Sequence, residues 1–345
     1  MKKRFCLLFA ALLLTVFVTG CTTVQKYQVQ FFDVFDTFSQ ITVYSSDRHR
    51  AEQITSTAYD VLLECHRLFD IYNDYEGINN LKTVNDNAGI APVQVDEKLF
   101  AMVKYGKKMY YLTGGRMNIA MGSVLRIWHR CRTEGLAHPE SAALPSMEEL
   151  RAAQPSTNIE NLILDEENHT IYLADPNMSL DVGALGKGFA VELAADAVED
   201  MGAEGVLLNI GGNVRAMGHR GDGTLWRAGV QNPLEPSGQT HLTVANLSGL
   251  SLVTSGDYQR SYTVDGKAYH HIIDPATLMP AAYFRQVTVI TEDSGLADAL
   301  STALFVMPLE DGLCLLEDFP GVEALWVCMD GTVVRSDGFA ELAGE

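Results

Sequence analysis

Apolar positions along the chain change period several times. Phe31 to Tyr44 alternates and is rich in β-branched and aromatic residues, which predicts a strand with Phe35-Asp36-Thr37 inside it. From His49 to Asp70 the apolar residues Ile54, Ala58, Val61, Leu62, Cys65 and Leu68 fall at helical spacing. Ile71 to Ala91 is rich in Asn, Asp and Gly and reads as loop. Asp96 to Leu112 reads as a helix capped by Asp96 and stopped by Gly114-Gly115. The apolar stretch Met117 to Met121 leads into a helix running to Cys131. A polar insert, Thr133 to Pro155, carries a short helix near Met147 to Ala153. Ile163 to Leu173 is a hairpin turning at Glu166 to His169.

Ser179 to Val191, SLDVGALGKGFAV, is the centre of the chain's organisation. It reads as a strand end, a glycine turn and a helix that runs to Met201 and stops at Gly202. Gly205 to Ile210 is a buried strand ending in Gly211-Gly212-Asn213. Strands and turns alternate from Trp226 to Val264, and Gln286 to Thr291 is another strand. Ser294 to Met307 is a helix, and short strands near Val322 to Cys328 and Thr332 to Arg335 close the chain. Strands and helices without regular alternation predict an α+β fold, with mixed or antiparallel sheets flanked by helices.

The chain has 345 residues, 47% of them hydrophobic and 20% charged, which is the composition of a globular protein. Its formal net charge of -19 argues against nucleic acid as a partner and against electrostatic adsorption to anionic lipid. Lys2, Lys3 and Arg4 precede an apolar run, Phe5 to Val18, too short for a confident membrane span. It ends Val18-Thr19-Gly20-Cys21, which resembles a bacterial lipobox. The expected organisation is a signal peptide over 1–20, lipid on Cys21, a polar tether over 21–30 and one domain over 31–345. The expected location is the cell membrane, lipid-anchored, on its extracytoplasmic face. Cys65, Cys131, Cys314 and Cys328 form no C-x-x-C pair and read mostly as small buried hydrophobes.

Three stretches carry candidate chemistry. In the first, Gly183, Gly186 and Gly188 surround Lys187 at a helix start, where backbone N–H groups and an ammonium can receive an anion. The alternative is a tight turn only. The spacing matches neither a Walker A loop nor the dinucleotide fingerprint. In the second, Asp298 and Thr302 lie four apart on one helix face and offer oxygen ligands to a hard cation such as Mg²⁺. The alternative is a solvated Asp and a Thr bonded to its own helix. The third, Thr254 to Pro280, contains His270-His271-Ile272-Ile273-Asp274-Pro275. His271 reads as a proton carrier, a phosphate contact or a packed residue, and Asp274 as a base or a turn former. No serine-hydrolase elbow, zincin helix or kinase signature is present.

Taken together, SLDVGALGKGFAV, Leu208-NIGGN-Asn213, Val253-TSGDYQR-Arg260, His270-HIIDPATLMP-Pro280 and Val287-TVITEDSGLADALSTALFVM-Met307 resemble, in order, the ApbE family of flavin transferases. The resemblance covers most of the chain from Phe31 on. It implies two intertwined lobes with the flavin site between them, and transfer of FMN from FAD to a Thr or Ser hydroxyl of a target protein, releasing AMP. It implies Mg²⁺ on the Ala184 carbonyl, Asp298 and Thr302, and contacts to FAD from Asp181, Lys187 and Ile272. Phe35 and Tyr72 fall where the family places flavin-pocket residues, although Phe-Asp-Thr stands where many members have Met-Gly-Thr. The segment Arg116-Met117-Asn118 corresponds to a family FAD contact, but Asn118 replaces a carboxylate there. The implied partners are FAD, flavin-acceptor subunits of membrane redox complexes and the lipid membrane. A flavin pyrophosphatase and a non-enzymatic flavin-binding lipoprotein are the competing readings.

Overall fold

A computed structural model describes residues 23–234, 240–258 and 260–344. The signal-like segment and Cys21 lie outside the described residues.

Strand β1 (Gln25–Phe31) pairs antiparallel with β2 (Ser39–Ser45) across its whole length. From Gln25 onward, the stretch expected as a tether is thus the edge strand of the main sheet. The predicted single strand over 31–44 is broken by a loop. Phe35 and Asp36 take left-handed φ values of 55° and 50° there. The Phe35 N–H donates to His66 Nδ1, and Thr37 packs where a Cβ on Gly211 would sit, which holds the loop against the Gly211-Gly212 turn.

Helix α1 (Arg48–Phe69) is capped by Asp47, and α2 (Leu81–Asp86), inside the stretch read as loop, is capped by Asn80. After β3 (Val93–Gln94) comes α3 (Glu97–Leu112), where Asp96 accepts the Lys98 N–H as expected and Gly114 and Gly115 have positive φ. Helix α4 (Gly122–Ala137) runs six residues past the predicted end, and Ser146 caps α5 (Met147–Ala153). Strands β4 (Leu162–Asp165) and β5 (Thr170–Leu173) form the expected hairpin, with β3 on the other side of β5.

Ser179 to Val182 is not a strand. It is held beside the 117–121 segment by one bridge, Met121 to Ser179, and by the Asp181 N–H donating to the Ile119 carbonyl. Gly122 permits this, because a Cβ there would lie 2.3 Å from the Ser179 oxygen. Helix α6 (Gly186–Glu199) starts directly after this turn. Its inner face is small and apolar, with Ala190, Val191, Ala194, Ala195 and Val198 all fully buried. Small side chains let neighbouring helices approach closely, and α6 packs on both α1 and the helix that carries Asp298.

The rest is mostly antiparallel sheet: β6 (Gly205–Ile210), β7 (Asn213–Gly218), β8 (Trp226–Gln231), β9 (His241–Leu247), β10 (Leu250–Gly256), β11 (Ser261–Val264), β12 (Lys267–His270) and β13 (Phe284–Thr291). Helix α7 (Ser294–Phe305) then leads through α8 (Leu309–Leu316), β14 (Glu323–Cys328) and β15 (Val333–Arg335) to α9 (Asp337–Ala343). Neither α8 nor α9 was legible in the pattern. The main sheet has the order β1-β2-β6-β7-β10-β13-β14-β15, every pair antiparallel. The fold is α+β, as the mixed pattern predicts. The largest core lies between this sheet and α1, α3, α6 and α7; a second covers its other face. A third joins α4 to the β11-β12 hairpin and the 273–279 loop. The four cysteines are unpaired, and of these only Cys65 is fully buried; Cys314 is exposed. Among the described residues no helix is long and apolar enough to cross a membrane.

Candidate functional site

The turn Asp181 to Leu185 delivers the chain into α6 beside the middle of α7. The Gly188 N–H donates to Asp298 Oδ2 at 2.8 Å, and Lys187 Nζ lies 3.7 Å from the same oxygen. Gly188 lies in the first turn of α6, where the N–H groups have no intrahelical carbonyl to bond, and Asp298 takes this one. The glycine is required: a Cβ on Gly188 would lie 2.2 Å from the Ser294 oxygen and 2.5 Å from the Asp298 Cβ. The anion at the start of α6 is therefore, in part, this chain's own carboxylate.

Asp298 is 4% exposed. One turn on, Thr302 Oγ1 is 3.4 Å from Ser255 Oγ, which also contacts Ser301 Oγ at 2.9 Å. Thr302 is thus not simply a solvated helical residue. Asp298, Thr302, Ser255 and the Ala184 turn make a set of hard oxygen donors with a single carboxylate. That set suits Mg²⁺, which keeps waters or substrate phosphate oxygens and does not demand an all-protein cage. Among the described residues no group of three or more His, Cys, Asp or Glu converges as a metal site.

Next to this junction lies a shell of basic groups. Arg132 Nη2 is 3.4 Å, and the Tyr72 hydroxyl 3.2 Å, from His129 Nδ1. A guanidinium only donates, so His129 Nδ1 is an acceptor and its proton sits on Nε2. Burial, Arg132 and Arg260 lower the His129 pKa. Asp181 accepts the Gly183 N–H, and burial raises its pKa against the pull of His129, Arg260 and Arg132. The Asp181 charge in turn acts on Tyr72, whose pKa burial also raises. His271 is pushed down to about 3, first by burial and then by Arg260, His270, Arg132 and Lys187. It is neutral at pH 7, and its Nδ1 is buried without a hydrogen-bond partner. Its neighbour His270 is the packed one. His270 Nε2 donates to the Ala281 carbonyl, and its Nδ1 accepts the Ile272 N–H.

Other expected site residues sit elsewhere or are internally engaged. The Asp274 carboxylate is buried in its own turn, accepting from the Ala276 N–H and the Thr277 hydroxyl, with Arg116 Nη1 at 3.9 Å. The turn-former reading suits it better than the base. Arg116 also lies 3.9 Å from Asp311 and lines a separate cavity of about 310 Å³ with Met307 and Cys314. Met117 is buried in the core. Asn118 donates to the Thr157 carbonyl and accepts the Ala120 N–H, so an amide serves there where a carboxylate would not. Ile272 is a buried core residue, and Phe35 stacks edge-on with His66 at 5.6 Å. His129, Arg132, Ser255 and Arg260 were not singled out from sequence. Their only signal was weak, a His and an Arg three apart on a helix and two residues inside the Thr-Ser-Gly-Asp-Tyr-Gln-Arg stretch.

The site of this α+β protein is a lysine-bearing glycine turn clipped to a buried aspartate, beside a shell of arginines and a neutral histidine. The ApbE family model matches residues 35–326. The FAD:protein FMN transferase of Treponema pallidum is 30% identical over 322 residues, 89% of this chain and 86% of that protein. The FAD:protein FMN transferase of Klebsiella pneumoniae is 30% identical over 278 residues, 78% and 84% of the two chains. The ApbE protein of Thermotoga maritima superposes with a TM-score of 0.81 at 31% identity, covering 93% of this chain and all of that one. The chain belongs to the ApbE family.

Proposed function

We propose that this enzyme, a flavin transferase by family, moves FMN from FAD onto a Thr or Ser hydroxyl of a target protein and releases AMP, with Mg²⁺ as cofactor. The observation that carries the reading is the α6–α7 junction, where a Lys, a buried Asp and hard oxygen donors meet next to Arg132, Arg260 and His271. In a chain of net charge -19 this gathering of cations supports reading the junction as the pyrophosphate site.

The Ala184 carbonyl, Asp298 and Thr302 would hold Mg²⁺, which supplies charge neutralisation at the bridging phosphates. Lys187 and the two arginines bind and orient the pyrophosphate, and Tyr72 and Phe35 border the flavin. The target hydroxyl attacks the FMN-side phosphorus while AMP leaves from the other side. His271, neutral, takes the hydroxyl proton. The acceptors would be subunits of membrane redox complexes, met by an enzyme anchored through lipid on Cys21 at the extracytoplasmic face.

The test mixes enzyme, FAD, Mg²⁺ and a candidate acceptor and follows AMP release together with the acceptor's mass. The expected result is an FMN adduct that Asp298→Ala abolishes. Unchanged AMP release by that variant overturns the metal assignment. Rapid FMN release without acceptor identifies a pyrophosphatase instead, and intact bound FAD a carrier.

A further inference from the structure

The Gly188–Asp298 contact has a counterpart one turn away. Glu192, four residues beyond Gly188 on α6, accepts the N–H of Ser294, four residues before Asp298 on α7, through Oε2 at 2.7 Å. The helices run antiparallel at this point, and each places a carboxylate at the other's N-terminus. Asp298 of α7 receives an amide from the first turn of α6; Glu192 of α6 receives the first amide of α7. Each bond joins a carboxylate to an amide that a helix start leaves without an intrahelical partner. Glu192 is fixed from behind by Arg215 Nη2 of β7 at 3.4 Å from Oε1. The two helices lie close here, since a Cβ on Gly188 would fall 2.2 Å from the Ser294 oxygen.

We infer that Glu192 is a positioning residue for the Asp298 site. The two reciprocal caps act as one clip that sets the register of α7 on α6, and the Glu192 end holds the Asp298 end. Its consequence for metal rests on the reading of Asp298 as a ligand; the clip itself does not.

Two variants open the Glu192 end. Glu192→Ala removes the acceptor. Ser294→Pro removes the donor and sets a ring methylene against Glu192 Oε2, at a first helical position where proline is tolerated and after Asp293, whose extended ψ of 122° suits a following proline. Native-state hydrogen exchange at the Gly188 amide is the direct readout. Losing a hydrogen bond to a charged group predicts exchange faster by about tenfold in both variants. Glu192→Gln, which keeps an acceptor oxygen, is expected to stay close to wild type. Leu150→Ala, in the separate core around α4, is destabilising too but is expected to leave Gly188 protection as it was. In the same variants the Mg²⁺ concentration for half-maximal rate and for half-maximal thermal stabilisation rises by about tenfold, while the rate at saturating Mg²⁺ holds. Unchanged Gly188 exchange in both Glu192→Ala and Ser294→Pro overturns the inference, as does failure of Glu192→Gln to restore it. Altered Gly188 exchange without any Mg²⁺ effect upholds the clip and overturns the metal reading of Asp298 instead.

Discussion

Gly188→Ala is the sharpest perturbation the structure offers. The added methyl would lie 2.2 Å from the Ser294 oxygen and 2.9 Å from its carbon, both backbone atoms that cannot swing away. It would also press on the Asp298 Cβ at 2.5 Å. The helices must part by about 1 Å to reach ordinary contact, since carbon pairs are most favourable near 3.5–4.0 Å. Overpacking of this kind costs about 1–3 kcal/mol. Loss of the Gly188 bond to a charged acceptor adds about 1.5–3 kcal/mol, and the better helix propensity of Ala returns about 1 kcal/mol. The net loss, about 1.5–5 kcal/mol, is read by urea unfolding as a lower midpoint with an unchanged slope. FMN transfer falls by about 100-fold, because a displacement of 1 Å in a positioned group is enough for that. Gly186→Ala is the control two residues earlier in α6, where the tightest neighbour of a Cβ is a Val182 methyl at 3.2 Å. It should change stability by less than about 1 kcal/mol, as the propensity gain offsets a mild contact. A Gly188→Ala protein as stable and as active as Gly186→Ala would refute the close approach of α6 and α7 as the reason for the glycine.

Arg132→Ala and Arg260→Ala should each raise the KM for FAD by about tenfold with a smaller change in kcat, and added salt should narrow the gap from wild type; an unchanged KM removes the arginines from the substrate site. His271→Ala should lower kcat by about 10²–10⁴ with FAD affinity retained. Because the folded-state pKa of His271 is depressed to about 3, its contribution to stability is present above the ordinary histidine range and is lost as pH falls from about 6.5 toward 3; the variant's unfolding free energy should therefore depend less on pH across that window. Glu192 runs the other way. Burial raises its pKa to about 7, so ionising it costs stability as pH rises from about 4.5 through 7. Glu192→Gln should gain in melting temperature relative to wild type between pH 5 and pH 8, and a gap that stays constant refutes the assignment.

Much of the architecture was readable from local order. The cap at Asp96 and the glycine stops at Gly114-Gly115 and Gly202 are governed by neighbours a few residues away, so pattern alone located those helix ends. The same holds for the 162–173 hairpin and for Asp298 and Thr302 sharing a face, because a helix's period fixes which residues lie together. Other features depend on partners far along the chain. The 25–30 stretch is polar and looks like a tether, yet its backbone pairs with β2 along a sheet edge, where both faces of a strand can stay wet. Ser179 to Val182 looks like a strand, but its backbone bonds to single groups in the 117–121 segment and to the Asn85 side chain. Sequence could propose Lys187, Asp298 and His271 separately. Only tertiary packing decided that Lys187 faces Asp298, that His129, Arg132 and Arg260 surround Asp181, and that His270 is the fastener while His271 keeps an unpartnered nitrogen. Those facts are distances between residues tens to more than a hundred positions apart, and no periodicity in the chain encodes them.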